Sequence, residues 1–251
     1  MIVAGLLLLV TNAPWWESTL LRDKAPASGS WHHLCAKDVE MCTIEKIATS
    51  QWRRVFCIMH GNKGCKSGTL NFRGPCAPTH RFVVLRDPLE RFVSAYIDKC
   101  IKRRREGHCE PKVVMGDTSL EDELTPAQRF EAFVDTFPLK WNLHFLPQHM
   151  ICNLKDNLAD YDVLVMNTSF YKQLSALQDR VPSLADAIEE VFSVEEKFLI
   201  KNTGTETHAS LLVQKFLTPR IAKRLFEIYA EDYKALSLPI PEWLVTMLSR
   251  A

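Results

Sequence analysis

The chain has 251 residues, 47% of them hydrophobic, and its 31 basic and 30 acidic side chains leave a formal charge of +1 at pH 7. That length and apolar content suffice for one substantial domain with a core of its own. Near neutrality excludes nucleic-acid binding through global positive charge, and the apolar run at residues 2–10 is far shorter than the roughly 20 residues a membrane-spanning helix needs.

In chain order, residues 2–10 followed by Thr11, Asn12 and Ala13 fit the apolar segment and small-residue cleavage site of a secretory signal, although a basic leading segment is missing. A buried N-terminal strand is the alternative. Residues 14–38, with Trp15 and Trp16, read as a lead-in to a single domain over 39–251. Residues 39–44 form a short apolar strand that leads through a polar turn into a helix over 51–60, with Thr49 or Ser50 as its N-cap. The stretch 61–79, with glycines, Pro75, Pro78, Cys65 and Cys76, is loop-like. A second strand, 82–85, ends at Arg86 and turns through Asp87 and Pro88 into a helix over 89–102; proline suits the first helical turn, where its missing N–H costs nothing.

Beyond that helix, 107–125 and 202–209 are long loops of the kind that wall a cleft in a compact domain. Helices are predicted over 126–137 and 183–192, and a third buried strand at 162–166 before a helix at 170–177. Thr218 caps a last long helix with Pro219 in its first position, and Ile221, Leu225, Ile228 and Tyr229 share one face of it as core packing. Strands alternating with helices imply an α/β fold, a central parallel sheet flanked by helices. Ligands of such sheets sit at the strands' carboxyl ends, where Lys46 and Arg86 both fall.

The strand-to-helix turn at Arg86 is a device for holding an anion. Helix-start amides point beyond the strand end, Arg86 offers a planar fork of donors, Ser94 adds a hydroxyl two turns along, and Arg91 supplies either a second fork or a structural ion pair. No Gly-x-x-x-x-Gly-Lys-Ser/Thr occurs, so an ordinary nucleotide P-loop does not hold the anion.

Arg86-Asp87-Pro88-x-x-Arg91-x-x-Ser94-x-Tyr96 after a β-branched strand resembles the 3′-phosphate segment of sulfotransferases that use 3′-phosphoadenosine 5′-phosphosulfate. The run from Lys46 through Ile47, Ala48, Thr49, Ser50, Gln51, Trp52, Arg53, Arg54 and Val55 is similar to the 5′-phosphosulfate loop of Golgi carbohydrate sulfotransferases of the chondroitin/dermatan 4-O type, with Glu45 where that family usually has proline. Weaker likenesses are Asn142-Leu143-His144-Phe145-Leu146-Pro147-Gln148, with Cys152, Tyr161 and Asp162 after it, and the helical segment 225–233.

The resemblance implies a P-loop-like sulfotransferase fold and transfer of a sulfonate from that nucleotide, as co-substrate and with no metal expected, to a hydroxyl of a chondroitin-type or related glycan. Lys46 would approach the 5′-phosphosulfate, Thr49, Ser50 and the first helical amides up to Gln51 would cradle the 5′-phosphate, and Arg86, Arg91 and Ser94 would take the 3′-phosphate. The acceptor hydroxyl needs a base, for which His144 comes first, Glu45 second and His208 third. An anionic glycan or proteoglycan is the expected partner, nucleic acid is not, and the setting is the Golgi lumen or membrane, with the N-terminus as a cleaved signal or a shortened signal-anchor and secretion if it is cleaved. A family member without turnover and a secreted glycan-binding module are the rival readings.

Eight cysteines form an even set compatible with lumenal disulfides. Cys100 and Cys109 flank a basic turn that a bridge would close, whereas Cys57 reads as a core thiol. Asn167-Thr168-Ser169 is an acceptable glycosylation sequon. Lys99, Lys102, Arg103, Arg104 and Arg105 make a basic cluster that either attracts an anionic glycan or faces water and complements a helix dipole.

Overall fold

Successive side chains of a strand point to opposite faces, so a strand whose consecutive residues are all buried is covered on both sides. Strand β3 (His80–Leu85) is such a strand: Phe82, Val83, Val84 and Leu85 have no more than 1% of their surface exposed. The computed structural model describes residues 32–62, 76–102, 124–136, 142–192 and 209–251. The expectations for the N-terminal segment, Trp15 and Trp16, Cys65, Arg103 to Arg105, Cys109, His208 and most of the three long loops lie outside those residues.

Around β3 the sheet runs in the order β1-β2-β3-β4, with β1 (His33–Ala36), β2 (Val39–Cys42) and β4 (Asp162–Val165). β2 and β3 are parallel, with Cys42 opposite Val83, and β3 and β4 are parallel, with Leu85 opposite Val165. The fold is therefore α/β with a central sheet flanked by helices, as the alternation implies, but two features depart from the sequence reading. The lead-in ends in a strand: β1 pairs antiparallel with β2 through a tight connection at Lys37, whose φ of 55° folds the chain back. The third strand, predicted buried, is an edge among the described residues; Leu164 faces the core while Val163 is 38% exposed.

A parallel pair needs a crossover, and helix α1 (Thr49–Met59) makes it between β2 and β3. Trp52 on α1 packs at 5.1 Å from Phe82 and 4.8 Å from Phe192, ring centre to ring centre, which fixes α1 against the sheet and against α5 (Pro182–Phe192). Helix α2 (Pro88–Tyr96) follows β3 directly, and the chain continues from it as a π-helix, Ile97–Lys102. Phe92 and Tyr96 of α2 meet Phe130 and Phe133 of α3 (Pro126–Thr136), Phe145, Phe216 at the end of α6 (Ala209–Phe216) and Tyr229 of α7 (Pro219–Ala235) in one aromatic cluster. Helix α4 (Phe170–Arg180) backs β4, and α8 (Glu242–Leu248) packs on α7.

The caps follow from the residues. Asp87 accepts the Glu90 amide at 2.8 Å at the start of α2, and Thr218 accepts the Ile221 amide at 3.4 Å at the start of α7. Disulfides join Cys35 to Cys76 and Cys42 to Cys152. Cys57 and Cys100 are disulfide-bonded as well, so Cys57 is not the core thiol its buried helical position suggests. No helix among the described residues is long and apolar enough to cross a membrane.

Candidate functional site

Parallel pairing of β2 and β3 puts their carboxyl ends side by side, and with them the loop 43–48 and the turn at Arg86. The loop is tightly wound: Lys46 and Ala48 both have left-handed backbones, with φ of 73° and 63°. For non-glycine residues that conformation costs about 1–2 kcal/mol each, a strain that persists where surrounding contacts over-determine it. The Thr49 hydroxyl supplies one such contact, donating to the Ile44 carbonyl at 2.7 Å. Ala48, not Thr49 or Ser50, is the N-cap of α1, and no side chain caps the helix. Thr49 braces the loop because the left-handed turn at Ala48 starts the helix one residue early and sends the hydroxyl back across the loop. The Gln51 amide is also engaged, bonding the Ala48 carbonyl at 2.9 Å, whereas the side chains of Ser50 and Gln51 are half-buried on the first turn.

Arg86 stands where β3 ends. Its Nη1 donates to the Lys46 carbonyl at 3.4 Å, joining the two loops, while Nε and Nη2 face the Glu90 carboxylate, both at 3.4 Å. Its backbone is clamped by Gln148, whose side-chain amide accepts from the Arg86 N–H at 3.1 Å and donates to the Arg86 carbonyl at 2.8 Å, as a neighbouring strand would. Gln148 is itself anchored by Asp232 of α7: the buried carboxylate accepts the Gln148 and His149 amides, each at 2.9 Å, and lies 2.6 Å from the His149 ring Nδ1. Tyr229 donates to the Phe145 carbonyl and Tyr233 to the Asp87 carboxylate, the latter at 2.7 Å. Burial holds both phenols well above their usual range, so they remain donors. Thus α7, expected only to fill the core, also pins the segment 145–149 and the start of α2.

Arg91 is held by backbone carbonyls of two loops. Its side chain is wholly buried, Nε donates to the Glu45 carbonyl at 3.0 Å and Nη2 to the Leu143 carbonyl at 3.3 Å, and Nη1 has no partner among the described residues. Through these two loop carbonyls the guanidinium braces the segments carrying Glu45 and His144. Ser94 is likewise buried, on the same helix.

The two leading candidates for a base come together. His144 Nε2 lies 3.9 Å from Glu45 Oε2, and its Nδ1 lies 2.6 Å from Asn142 Oδ1. With Nδ1–H donating to the amide oxygen, Nε2 carries the lone pair, and the Glu45 carboxylate stabilises the imidazolium formed when that nitrogen takes a proton. Arg53 Nη2, 3.3 Å from Glu45 Oε1, keeps that acid in place.

Lys46 is held from the other side. Its Nζ lies 3.0 Å from Asp98 Oδ2, and the side chains of Lys46 and Asp98 are only 10% and 4% exposed. Burial lowers the pKa of the ammonium, and Asp98 opposes that shift. Lys99 Nζ reaches the same oxygen at 3.3 Å, so the first member of the basic cluster turns inward rather than to water or a glycan.

A family model described as the sulfotransferase family matches residues 36–238, a span that contains both phosphate-loop candidates, the His144 segment and the whole of α7. The chain belongs to the sulfotransferase family. Two relatives from Caenorhabditis elegans are each 24% identical to it: uncharacterized protein C18B2.2 over 64% of this chain and 47% of its own length, and putative sulfotransferase vep-2 over 50% and 40%. The chain thus spans less than half the length of these curated relatives. No solved structure matches it. In this member of the family, Lys46, Arg86, Arg91, Glu45 and His144 converge at one end of the sheet. Gln148, Asp232, Asn142 and Asp98 are the residues of that site which sequence reasoning missed; Asn142 and Gln148 lie inside one segment of weaker family likeness and Asp232 inside the other, and that was their one available signal.

Proposed function

We propose that the chain transfers a sulfonate from 3′-phosphoadenosine 5′-phosphosulfate to a hydroxyl of an anionic glycan of the chondroitin type. The observation that carries the reading is the junction of Lys46 and Arg86 at the carboxyl ends of two adjacent parallel strands, with His144 and Glu45 beside them. When bound, the donor nucleotide supplies an activated sulfonate and a phosphate leaving group. The residues present suit a ligand with an anionic group at each end: a lysine and an arginine on separate loops, joined through one carbonyl, with the first amides of α1 adjoining.

Lys46 stabilises the charge that gathers on the leaving phosphate, and losing one such preorganised donor costs about 2.7–4 kcal/mol of barrier. Arg86, with Ser94 on the same segment, orients the nucleotide through its 3′-phosphate, and the Ser50 hydroxyl serves the 5′-phosphate. His144 Nε2 removes the acceptor proton, a contribution of about 10²–10⁴-fold. Thr49 and Arg91 act through the loop they hold. Two disulfides within the described residues support an oxidising setting such as the secretory pathway.

Calorimetry with adenosine 3′,5′-bisphosphate tests the donor site, and donor-dependent sulfation across a panel of desulfated glycans tests the acceptor. Arg86→Ala is expected to weaken nucleotide binding and Lys46→Ala chiefly to slow transfer; no binding by folded wild-type protein sinks the reading. A second reading, binding without turnover, is favoured by Asp98, which already occupies the Lys46 ammonium. Nucleotide binding without sulfation of any glycan in the panel would select it.

A further inference from the structure

Two ammonium groups, Lys46 and Lys99, share a single oxygen of Asp98 at 3.0 and 3.3 Å, with all three side chains nearly out of solvent. Asp98 and Lys99 lie in the π-helix Ile97–Lys102, a rare geometry that is frequent at functional sites. Asp98 also follows Ser94 by four residues, so the segment proposed to hold the 3′-phosphate ends in the carboxylate that holds the lysine of the other loop.

A buried carboxylate with one cation cannot release it cheaply, because the stranded charge costs several kcal/mol. With a second cation on the same oxygen, release of the first leaves an ion pair behind. We infer that Asp98 is a positioning residue for Lys46: it holds the ammonium while no donor is present and yields it to the donor's 5′-anion, Lys99 then remaining as the counter-ion of Asp98. Arg86 and Glu90 form a similar pair in the same site, but at 3.4 Å and with greater exposure, so Asp98 is the stronger competitor for its cation. The inference rests on the donor-binding reading above and adds a residue pair to it.

The test is nucleotide binding measured by calorimetry with adenosine 3′,5′-bisphosphate, in the wild-type background and in Lys46→Ala. Asp98→Asn is expected to tighten binding and Lys99→Met to weaken it, each by about tenfold, the range of coupling between neighbours in one network. Asp98→Glu, which keeps the charge, restores affinity to near the wild-type value. In the Lys46→Ala background both effects disappear. Persistence of either effect there overturns the inference, because it means that Asp98 or Lys99 acts on the nucleotide through its own charge. An unchanged affinity in Asp98→Asn or Lys99→Met overturns it too, and Lys99→Met, which leaves the Lys46–Asp98 pair intact, carries the test if Asp98→Asn fails to fold. Absence of binding by the wild-type chain overturns the donor reading and this inference together, whereas wild-type binding with persisting effects removes only the inference.

Discussion

Replacing Arg91 by methionine separates a loop brace from a phosphate ligand. The guanidinium is wholly buried, and two of its nitrogens satisfy the carbonyls of Glu45 and Leu143 at 3.0 and 3.3 Å. Arg91→Met leaves both acceptors without their donor, at about 1–3 kcal/mol for each buried unsatisfied group. Against that, an apolar side chain of similar volume removes the desolvation cost of a buried charge, a relief of about 1–4 kcal/mol where such exchanges leave no unpaired partner. Here two carbonyls are stranded, so the loss wins, and a net destabilisation of about 1–2 kcal/mol is expected. Arg86→Ala removes an i,i+4 pair and a long bond to the Lys46 carbonyl, all at 3.4 Å, and should cost no more than about 1 kcal/mol. Urea unfolding followed by tryptophan fluorescence, with the denaturant slope unchanged between variants, measures both. If Arg91→Met proves as stable as Arg86→Ala while losing nucleotide affinity to the same degree, the guanidinium is a ligand and the bracing argument fails.

Three further outcomes are expected. Burial pushes the Asp87 carboxyl up to about 6, against the Glu90 amide and the Tyr233 hydroxyl, which pull it down. Because the folded state holds this proton more tightly than the unfolded one, its contribution is full below the unfolded value of 3.8 and falls by about 3 kcal/mol as pH rises through 6. Asp87→Asn keeps the N-cap acceptor and should remove that slope; unfolding curves for the two proteins that stay parallel from pH 4 to pH 7 would contradict it. Opening the Cys42–Cys152 bridge by a double change to serine should cost more than opening Cys35–Cys76, about 4.8 against about 3.9 kcal/mol in the chain-entropy account, since the sequence separations are 110 and 41; the reverse order of melting temperatures would refute it. Gln148→Leu strips both polar contacts from the Arg86 backbone and should lower nucleotide affinity alongside stability, so an affinity equal to wild type in calorimetry would show that the clamp does not position Arg86.

What was legible beforehand was local. An apolar strand, a capping aspartate and a proline at the first helical position specify the β3–α2 turn within a few residues, and the same holds for Thr218 and Pro219 at α7. The left-handed start of α1 was not legible, because nothing in an alanine announces a φ of 63°, whereas Thr49 and Ser50 are residues that ordinarily cap. Nor was the edge position of β4, since Val163 reads as buried by composition and only strand order exposes it.

The contacts that complete the site span long sequence separations, 52 residues from Lys46 to Asp98, 62 from Arg86 to Gln148 and 84 from Gln148 to Asp232, and periodicity carries no information about them. The last of these changes the meaning of α7. Its apolar face, with Ile221, Leu225 and Ile228, packs as a core stripe should, while Tyr229, Asp232 and Tyr233 on the succeeding turn deliver a buried carboxylate and two hydroxyls to the backbone of 145–149 and to Asp87. Buried polar groups of this kind are costly unless satisfied, and here every one of the three has a partner in a segment that bears on Arg86 or His144. A mutation on α7 that spares packing but removes Asp232 therefore acts on the site more than 80 residues away by freeing Gln148 from its anchor, and with it the strand end from which Arg86 projects.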